Sequence, residues 1–588
     1  MKRILTTVTA LFLAVFAFAQ GGFWQDANQQ LSINNQQLPT SYRSLSLDLN
    51  TLVEYLRQAP MEFTETARNQ PLVLDLPMPE GGVERFAVAE SPIMEPGLAA
   101  AFPMIKTFAA RSLEDPFVTA RLGYSPQGFH AIVRGSKDGT WLIQPEPAGS
   151  FYTSYFEKNA PNHEPTHCGL DHAEMEAQLL DDSHLAQSLI TNHQSPRTAN
   201  TVLDLHTYRL ALATTAEYSV NHGGTVSSVL TAVATVINQA NSFYEREAAI
   251  RLILIDSTTN TFFFPPNNGD PYTNGNAGVM INENPDVING AYGNSGYDIG
   301  HVFGITNSGG VIGIAQLGSV CSANKARGAS NQFGGELYET FIHEAGHQFN
   351  ATHTFNLCDG DNENGPTGYE PGGGSTIMAY AGACTTNSVQ AVADDYFHVN
   401  SLERVYNFSR DPNSGGICNQ VVAVGNNTPV ASIPIAGGFY IPVRTPFELT
   451  GEATDADGDD LEYNWEQYDI GPASQLGMPQ GSAPLFRSFP PSSSTTRVFP
   501  KIQTIVFNQN DDTELLPTIT RPMTFRFTAR DNHPEAGGWG FAEIAFNATA
   551  AAGPFRVTQP NNSGLSWEVG KYMEVTWDVA NTDVAPVN

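Results

Sequence analysis

The stretch HEAGHQFNATH, residues 343 to 353, narrows the possible folds of this chain more than any other segment. His343 and His347 stand four positions apart, so on a helix both imidazoles project from one face. The surrounding segment GELYETFIHEAGHQF has apolar residues near helical spacing, which predicts that helix. His353 follows too late to share the helix face, so the chain must turn back. Asn350 suits such a turn because asparagine tolerates the left-handed backbone conformation.

The three histidines predict a metal centre. Three neutral imidazoles leave one position of a tetrahedral Zn²⁺ open for water, which is the mark of a catalytic rather than a structural zinc site. Glu344 follows His343 at about 100° round the helix axis, where a base can take a proton from that water without binding the metal. The alternative, a helix with solvated histidines, is less favoured once a third histidine is present.

The amino-terminal residues predict export. Two basic residues precede an apolar run that ends in a small-residue pattern, which is typical of a signal peptide over residues 1–19 with cleavage before Gln20. No later stretch approaches the roughly 20 apolar residues that a membrane span needs. We therefore expect a mature chain without a membrane span, secreted to the extracellular space or the cell surface. The 29 basic and 60 acidic residues give a net charge of -31, which disfavours nucleic acid as a partner.

The pattern of apolar and polar residues changes twice along the chain. Residues 20–197 mix three short strand-like runs, PLVLDL, GFHAIVRG and GTWLIQPE, with polar turns. The polar segment that ends near Arg197 predicts an exposed linker with a processing point. Residues 198–425 alternate strand-like runs with helical patterns, which predicts an α/β domain. The strand-like runs of that domain include LHTYRLALATT, RLILID and GVIGIAQLGSVC, and its helical patterns fall in residues 226–240, 335–349 and 388–408.

The last third of the chain shows no helical pattern. Short alternating runs separated by Gly, Pro and Asp turns predict an all-β sandwich module over residues 426–549. Residues 550–588 begin what we predict to be a further β-sandwich that is incomplete. The whole chain is therefore expected to be a multidomain protein with an α/β domain between an amino-terminal domain and β-sandwich modules.

Several segments of residues 200–425 resemble a known family. HEAGHQFNATH resembles the zinc-binding signature of the metzincin peptidases, and STIMAY, which contains Met378, resembles the Met-turn of that clan. YDIGHVF, GIAQLGSVC and the spacing of four cysteines between residues 321 and 418 are most similar to exported bacterial metallopeptidases of the reprolysin-like (adamalysin-type) family. The resemblance implies an α/β (α+β) catalytic domain with a mixed sheet and an active-site helix, preceded by a propeptide in residues 20–197.

The resemblance also implies a function and a cofactor. His343, His347 and His353 would bind Zn²⁺, and Glu344 would be the general base of a zinc endopeptidase that acts on protein or peptide substrates. We expect the enzyme to be a monomer. The cleavage preference and the physiological substrate do not follow from the sequence.

The Met-turn and the strand before the helix receive their roles from the same resemblance. Met378 would form an apolar floor under the imidazoles. Tyr380 stands where the astacin and serralysin pattern has a tyrosine, and it would either donate a hydrogen bond to the oxyanion or only pack against the site. GVIGIAQLGSVC would form the sheet edge along which an extended peptide pairs.

Four of the five cysteines have partners implied by the resemblance. Cys321 would pair with Cys418, and Cys358 would pair with Cys384. The sequence alone allows three pairings of these four residues, so the choice is inherited from the family.

The fifth cysteine, Cys168, lies in HCGLD, upstream of the expected processing point. A thiolate is a good zinc ligand, so a cysteine from a propeptide could take the position of the water and keep the enzyme latent. The hypothesis is therefore a zymogen with Cys168 as its switch. The alternative is an unpaired thiol at the surface.

An acidic turn in the β-rich region suggests a second cation. EATDADGDDLEYNW resembles the acidic turn of cadherin-like and polycystic-kidney-disease-type repeats, and Asp455, Asp457 and Asp459 alternate as oxygen ligands of Ca²⁺ would. Acidic turns also occur without a metal, so calcium binding stays open.

Two other functions remain compatible with the sequence. The first is a catalytically idle adhesion or binding protein built on a metzincin scaffold, against which the retention of Glu344 and all three histidines argues. The second is a metallohydrolase with a substrate other than a peptide, which shares the zinc chemistry and differs only in the family resemblance.

Overall fold

The computed structural model of the chain describes residues 22–27, 38–146, 151–160, 167–169, 201–265, 269–306, 311–333, 337–359, 365–562 and 564–587. The expected signal peptide, its cleavage before Gln20 and the expected processing point at Arg197 lie outside these residues. Within the described ranges, none of the helices combines the length and the apolar character needed to cross a membrane.

In the amino-terminal region, the described residues between 22 and 160 form a nine-stranded antiparallel sheet and three short α-helices. The strand order is β1-β2-β9-β8-β7-β6-β5-β4-β3. The strands are β1 (Trp24–Asp26), β2 (Arg43–Leu47), β3 (Leu72–Pro77), β4 (Val83–Glu90), β5 (Lys106–Ser112), β6 (Thr119–Ser125), β7 (Gly128–Arg134), β8 (Trp141–Pro145) and β9 (Tyr152–Phe156). The helices are α1 (Leu49–Leu56), α2 (Glu65–Asn69) and α3 (Pro96–Ala101).

Local sequence explains these elements. In β4, Phe86 and Val88 alternate with more exposed residues, as expected for a strand with one face on a core. Helix α1 begins after Asp48, whose side chain accepts a hydrogen bond from the Thr51 N–H. Leu52 and other apolar residues of α1 pack in the same core as β4. The three strand-like runs predicted in this region coincide with β3, β7 and β8.

The described residues of the central region form a mixed sheet and five α-helices. The strands are β10 (His167–Cys168), β11 (Val202–Thr214), β12 (Ile250–Leu254), β13 (Ile299–Ile305), β14 (Val311–Ala315), β15 (Gly328–Gln332) and β16 (Gln420–Asn427). The helices are α4 (Ala216–Asn221), α5 (Val226–Ala248), α6 (Ala277–Tyr292), α7 (Leu337–Gln348) and α8 (Val399–Arg410). The sheet order is β10-β14-β15-β13-β11-β12, and β16 also pairs with β11.

The pairing within this sheet makes it mixed. Strand β11 is parallel to β12 and β13, and β13 is parallel to β15, whereas β14 is antiparallel to β15 and β16 is antiparallel to β11. This is the mixed α/β architecture expected from the sequence. Helix α5 begins with a capping box formed by Thr225 and Ser228 and is buried on most of its surface. It packs against α7, where Ile342 O accepts a hydrogen bond from Tyr244 Oη (2.6 Å).

Two predictions for this region were wrong in extent. The run GVIGIAQLGSVC is a strand only over Val311–Ala315. The residues that follow form a turn, and their N–H groups cap the carboxyl end of α7. The Gly318 N–H, for example, donates to His347 O (2.9 Å). The helical pattern in residues 388–408 is a helix only from Val399, where the His398 side chain accepts from the Asn400 N–H and caps the helix. Helix α6 was not predicted because polar residues and Pro285 interrupt its apolar pattern.

The remaining strands lie in the carboxyl-terminal region. They are β17 (Val430–Ser432), β18 (Tyr440–Pro442), β19 (Phe447–Thr450), β20 (Glu452–Thr454), β21 (Glu462–Gln467), β22 (Thr496–Phe499), β23 (Arg521–Arg530), β24 (Trp539–Thr549), β25 (Arg556–Gln559) and β26 (Thr576–Asp578). A four-stranded sheet, β18-β24-β23-β21, and the pairs β17-β20 and β19-β22 surround one aromatic core. The expectation of no helix was wrong, since α9 (Ile502–Val506) forms one turn after β22.

Candidate metal centre

Helix α7 and the chain that follows it bring three imidazoles together. The Nε2 atom of His343 lies 3.1 Å from Nε2 of His347 and 3.2 Å from Nε2 of His353. The Nε2 atoms of His347 and His353 are 3.2 Å apart. The side chains predicted to share a metal ion therefore point their Nε2 atoms at one place.

The other ring nitrogen of two histidines is held by the backbone. His343 Nδ1 lies 2.8 Å from Ile377 O, and His347 Nδ1 lies 2.7 Å from Ala351 O. Each Nδ1–H can donate to its carbonyl, which leaves the lone pair of Nε2 facing the cluster. Burial lowers the pKa of His343 to about 4. The imidazole is therefore neutral near pH 7, the form that binds a metal.

The donor set fits Zn²⁺. For a tetrahedral zinc ion with Zn–N distances near 2.05 Å, adjacent ligand nitrogens lie about 3.3 Å apart. The three distances between Nε2 atoms match that value closely. Neutral imidazoles are also ligands that zinc prefers.

Asn350 makes the turn that brings His353 back. Its φ is 73°, in the left-handed region, as predicted from the sequence. The Asn350 N–H donates to His347 O (2.8 Å), and Arg404 of α8 donates from Nε to Asn350 O (2.8 Å). These hydrogen bonds satisfy the polar groups at the end of α7 and fix the path to His353.

Glu344 is buried, with 1% of its surface exposed, and its Oε2 atom lies 3.5 Å from Cys168 Sγ, which clusters with the three Nε2 atoms. Burial raises the pKa of Glu344 to about 8, against the smaller opposing effect of a hydrogen bond from Cys168. Its carboxylate lies against Gly313 of β14, where a Cβ atom would collide with the carboxylate oxygen. The structure thus places a carboxyl group of raised proton affinity next to the candidate metal position.

Cys168 reaches the same place from the amino-terminal side of the chain. Its Sγ atom lies 3.5 Å from Nε2 of His347 and 3.5 Å from Oε2 of Glu344. The ligand atoms of Cys168 and the three histidines all lie within 4.8 Å of one another. A sulfur and a nitrogen bound to one tetrahedral zinc ion lie about 3.5 Å apart, so the thiol also fits as a ligand.

The backbone around Cys168 pairs with the sheet edge. Strand β10 runs parallel to β14 with Cys168 opposite Gly313, and the Gly169 N–H donates to Gly313 O (2.8 Å). Tyr380 Oη donates to Cys168 O (2.9 Å), so the tyrosine predicted near the site contacts this segment. The ring of Tyr380 also packs edge-on against His353, with 4.7 Å between ring centroids.

Met378 is fully buried and packs against α7 at Gly346. Gly346 lies between the two histidines of the helix. If residue 346 had a side chain, its Cβ atom would lie 2.7 Å from Met378 Sδ, which is too close. Only glycine at position 346 allows this approach. Met378 O also accepts a hydrogen bond from the Thr354 N–H (3.2 Å), which ties the Met-turn to the chain after His353.

The four cysteines of this region form two disulfides. Cys321 pairs with Cys418, and Cys358 pairs with Cys384, as the family resemblance implied. Cys358 and Cys384 pack with Tyr380 in a small cluster. The Cys358–Cys384 disulfide therefore joins the segment after His353 to the segment after Tyr380.

The acidic turn forms a separate cluster. Oxygen atoms of Asp455, Asp457 and Asp459 lie within 4.8 Å of one another. Oδ1 of Asp455 accepts from the N–H groups of Asp457 and Asp459, whereas Oδ2 of Asp455 and Oδ2 of Asp459 are buried without a hydrogen-bond partner among the described residues.

Sequence reasoning missed three residues that position the site. Gly346 carried a signal, because glycine inside a helix costs about 1 kcal/mol relative to alanine and therefore indicates close packing. Gly313 carried a similar signal within a strand. Arg404 carried none, since its contact with Asn350 depends on how α8 packs.

Three converging imidazoles beside a carboxyl group are the set of groups that a metal-dependent hydrolase uses. Residues 205–407 match the family described as Metallo-peptidase family M12B, Reprolysin-like. The match includes the three histidines and Glu344, and it supports a reprolysin-like metzincin, and hence a peptidase, in this part of the chain. No curated protein matches the chain.

Proposed function

We propose that the protein is a secreted zinc-dependent endopeptidase that is made as a zymogen. The observation that carries the proposal is the convergence of the Nε2 atoms of His343, His347 and His353 beside the buried carboxyl group of Glu344. The two disulfides support export, because disulfides persist in oxidising compartments.

In the proposed reaction, an extended substrate takes the place of β10 along β14. The edge of β14 offers backbone groups such as Gly313 O, which accepts from the Gly169 N–H while the Cys168 segment is in place. Glu344 then lies beside the scissile bond because its carboxylate rests on Gly313. Substrate side chains would be selected by loops around this edge.

Glu344 moves the proton in this mechanism. Zn²⁺, when bound, polarises the scissile carbonyl and lowers the pKa of water. The carboxylate of Glu344 accepts a proton from the attacking water and returns it to the leaving amine. Burial by itself raises the pKa of Glu344, and a bound Zn²⁺ would lower it again and so favour the carboxylate that the first step needs.

The zymogen is proposed from the position of Cys168. Its thiol contacts Glu344 and His347, and its backbone occupies the β14 edge. Substrate and the Cys168 segment therefore compete for one place. Proteolysis that frees the Cys168 segment from the site, with one of its cuts near Arg197, is the proposed route to activity.

Chelation tests the proposed function. After proteolytic activation, the protein should digest a generic unfolded protein, lose that activity on treatment with a chelator and regain it on addition of Zn²⁺. One zinc ion per chain should be found by metal analysis. A metal-loaded, processed protein without peptidase activity would support the idle binding protein instead.

Tyr380 is proposed to stabilise the oxyanion once the Cys168 segment has left. While the Cys168 segment occupies the site, the Tyr380 hydroxyl donates to a peptide carbonyl, Cys168 O. It can therefore donate to a substrate oxygen in the same place. We expect Tyr380→Phe to lower kcat about 10²-fold with little change in KM. Tyr406→Phe in α8 is the matched control. A kcat equal to that of the parent would assign Tyr380 a packing role.

Calcium binding is proposed for the acidic turn. The unpartnered oxygens of Asp455 and Asp459 are the groups that a cation would satisfy. At a calcium concentration tens of times above Kd, we expect stabilisation of about 2 kcal/mol, or a rise in Tm of about 5 °C for this module in calorimetry. Asp459→Asn should remove the rise, whereas Asp512→Asn should retain it. A Tm that does not respond to calcium in the parent protein would exclude the site.

A further inference from the structure

The amino-terminal domain is joined to the catalytic domain by a buried interface that is separate from Cys168. Helix α5 lies between two layers: β6 and β7 of the amino-terminal sheet contact it on one side, and α7 and β12 contact it on another. Residues of both domains form one apolar core. The amino-terminal domain contributes to it Ile93, Met94, Leu98, Ile105, Ile132, Leu142 and Tyr155.

The amino-terminal domain also covers a sheet edge. Strand β12 is the last strand on one side of the catalytic sheet. Leu254 N donates to Ile93 O (2.8 Å), and Glu95 N donates to Leu254 O (2.9 Å), so residues 93–95 form a parallel β-bridge with Leu254 at the end of β12. Without this segment the backbone N–H and C=O groups of Leu254 would be left unpaired at the sheet edge, and unpaired edge groups favour aggregation.

Ion pairs alternate across the interface. Arg121 of β6 pairs with Glu245 of α5, and Glu245 also accepts from Arg251 Nε (2.6 Å). Arg251 in turn pairs with Glu62 of the amino-terminal domain (2.6 Å). These four residues are all largely buried. Because these charges alternate in sign, the amino-terminal domain can dock in only one position. Any shift of this domain along the interface would leave buried charges without partners.

We propose that residues 22–160 stay bound to the catalytic domain after processing, as a non-covalent subunit that covers α5 and the β12 edge. Only the short segment around Cys168 then leaves the site. This inference rests on the proposed function, because it assumes that a zymogen is cut. It divides residues 20–197 into a domain that stays bound and a segment around Cys168 that is removed. A catalytic domain without its partner would expose the apolar face of α5 and an open strand edge.

The test uses the full chain with recognition sequences for two site-specific proteases, one within residues 161–166 and one within residues 170–200. Two cuts are needed because a single cut would leave Cys168 tethered to a retained domain. After both cuts, we expect the amino-terminal fragment to co-elute with the remainder in gel filtration under native conditions. An amino-terminal fragment found alone, whether the remainder stays in solution or precipitates, would overturn the proposal.

A paired variant examines the interface itself. Arg121→Met removes an ion pair across the interface, whereas Arg85→Met removes the exposed pair with Glu114 within the amino-terminal domain. We expect the cut Arg121→Met protein to release its fragment at least about tenfold faster than the cut parent, and Arg85→Met to match the parent. Equal release from both variants would contradict the role given to this interface.

A measurement on the parent protein avoids the risk that Arg121→Met fails to fold. The Leu254 N–H donates to Ile93 O, so its hydrogen exchange reports on the bound domain. We expect its protection to persist after both cuts, and its loss would overturn the proposal. Peptidase activity is assayed on the same samples: co-elution without activity would leave this inference intact and contradict the proposed function.

Discussion

Glu344→Gln will lower kcat/KM of the activated protein by about 10²- to 10⁴-fold while leaving zinc content unchanged. Glutamine keeps the size of the side chain but cannot take up the proton of the attacking water. The structure places this carboxyl group in contact with Gly313 and near Cys168 Sγ, within reach of the candidate metal position. Because proton transfer is required only in the transition state, kcat and kcat/KM should fall together.

The control for this prediction is the same substitution at an exposed site. Glu217→Gln in the first turn of α4 should retain the activity of the parent. Peptide cleavage and metal content are measured on both variants. Activity that survives in Glu344→Gln at a tenth of the parent level or more would show that another group is the base.

Cys168→Ser will raise the activity of the uncut protein at least about tenfold, the effect of weakening the inhibited state by 1.4 kcal/mol. A serine hydroxyl is a far weaker zinc ligand than a thiolate, so substrate competes better for the site. The assay is cleavage of a quenched fluorescent peptide by the uncut protein. The Tyr380 and Gly313 contacts of the segment involve its backbone and remain, which limits the gain.

A thiol reagent gives the matched control. An organomercurial should activate the uncut parent protein by capping Cys168 and should have no further effect on Cys168→Ser. An uncut Cys168→Ser protein as inactive as the uncut parent would remove Cys168 from the account of latency and leave the backbone of β10 as the block.

The local part of the site could be predicted from the sequence. The spacing of His343 and His347 on a helix, the position of Glu344 between them and the turn at Asn350 all depend on residues within one short segment. Helix geometry and the backbone preference of asparagine were therefore enough to predict them. The disulfide pairing came from the family resemblance, because spacing alone left three choices.

The long-range part could not be predicted. The approach of Cys168 to His347 depends on β10 pairing with β14, and no local pattern indicates which strand edge a distant segment will use. The ion pair of Arg121 with Glu245 gave no sequence signal for the same reason. The helix predicted over residues 388–408 is absent from the first half of that segment. Tertiary hydrogen bonds, such as that from Asp394 N to Ser375 O (2.7 Å), hold this half in turns instead.

The most direct test is anomalous diffraction at the zinc absorption edge from crystals of the zinc-loaded, uncut protein. We predict one strong anomalous peak about 2.0–2.1 Å from the Nε2 atoms of His343, His347 and His353, with Cys168 Sγ as the fourth ligand at about 2.3 Å. A peak elsewhere, or a zinc ion that any one of the three imidazoles fails to reach, would contradict the metal centre on which the proposed peptidase depends.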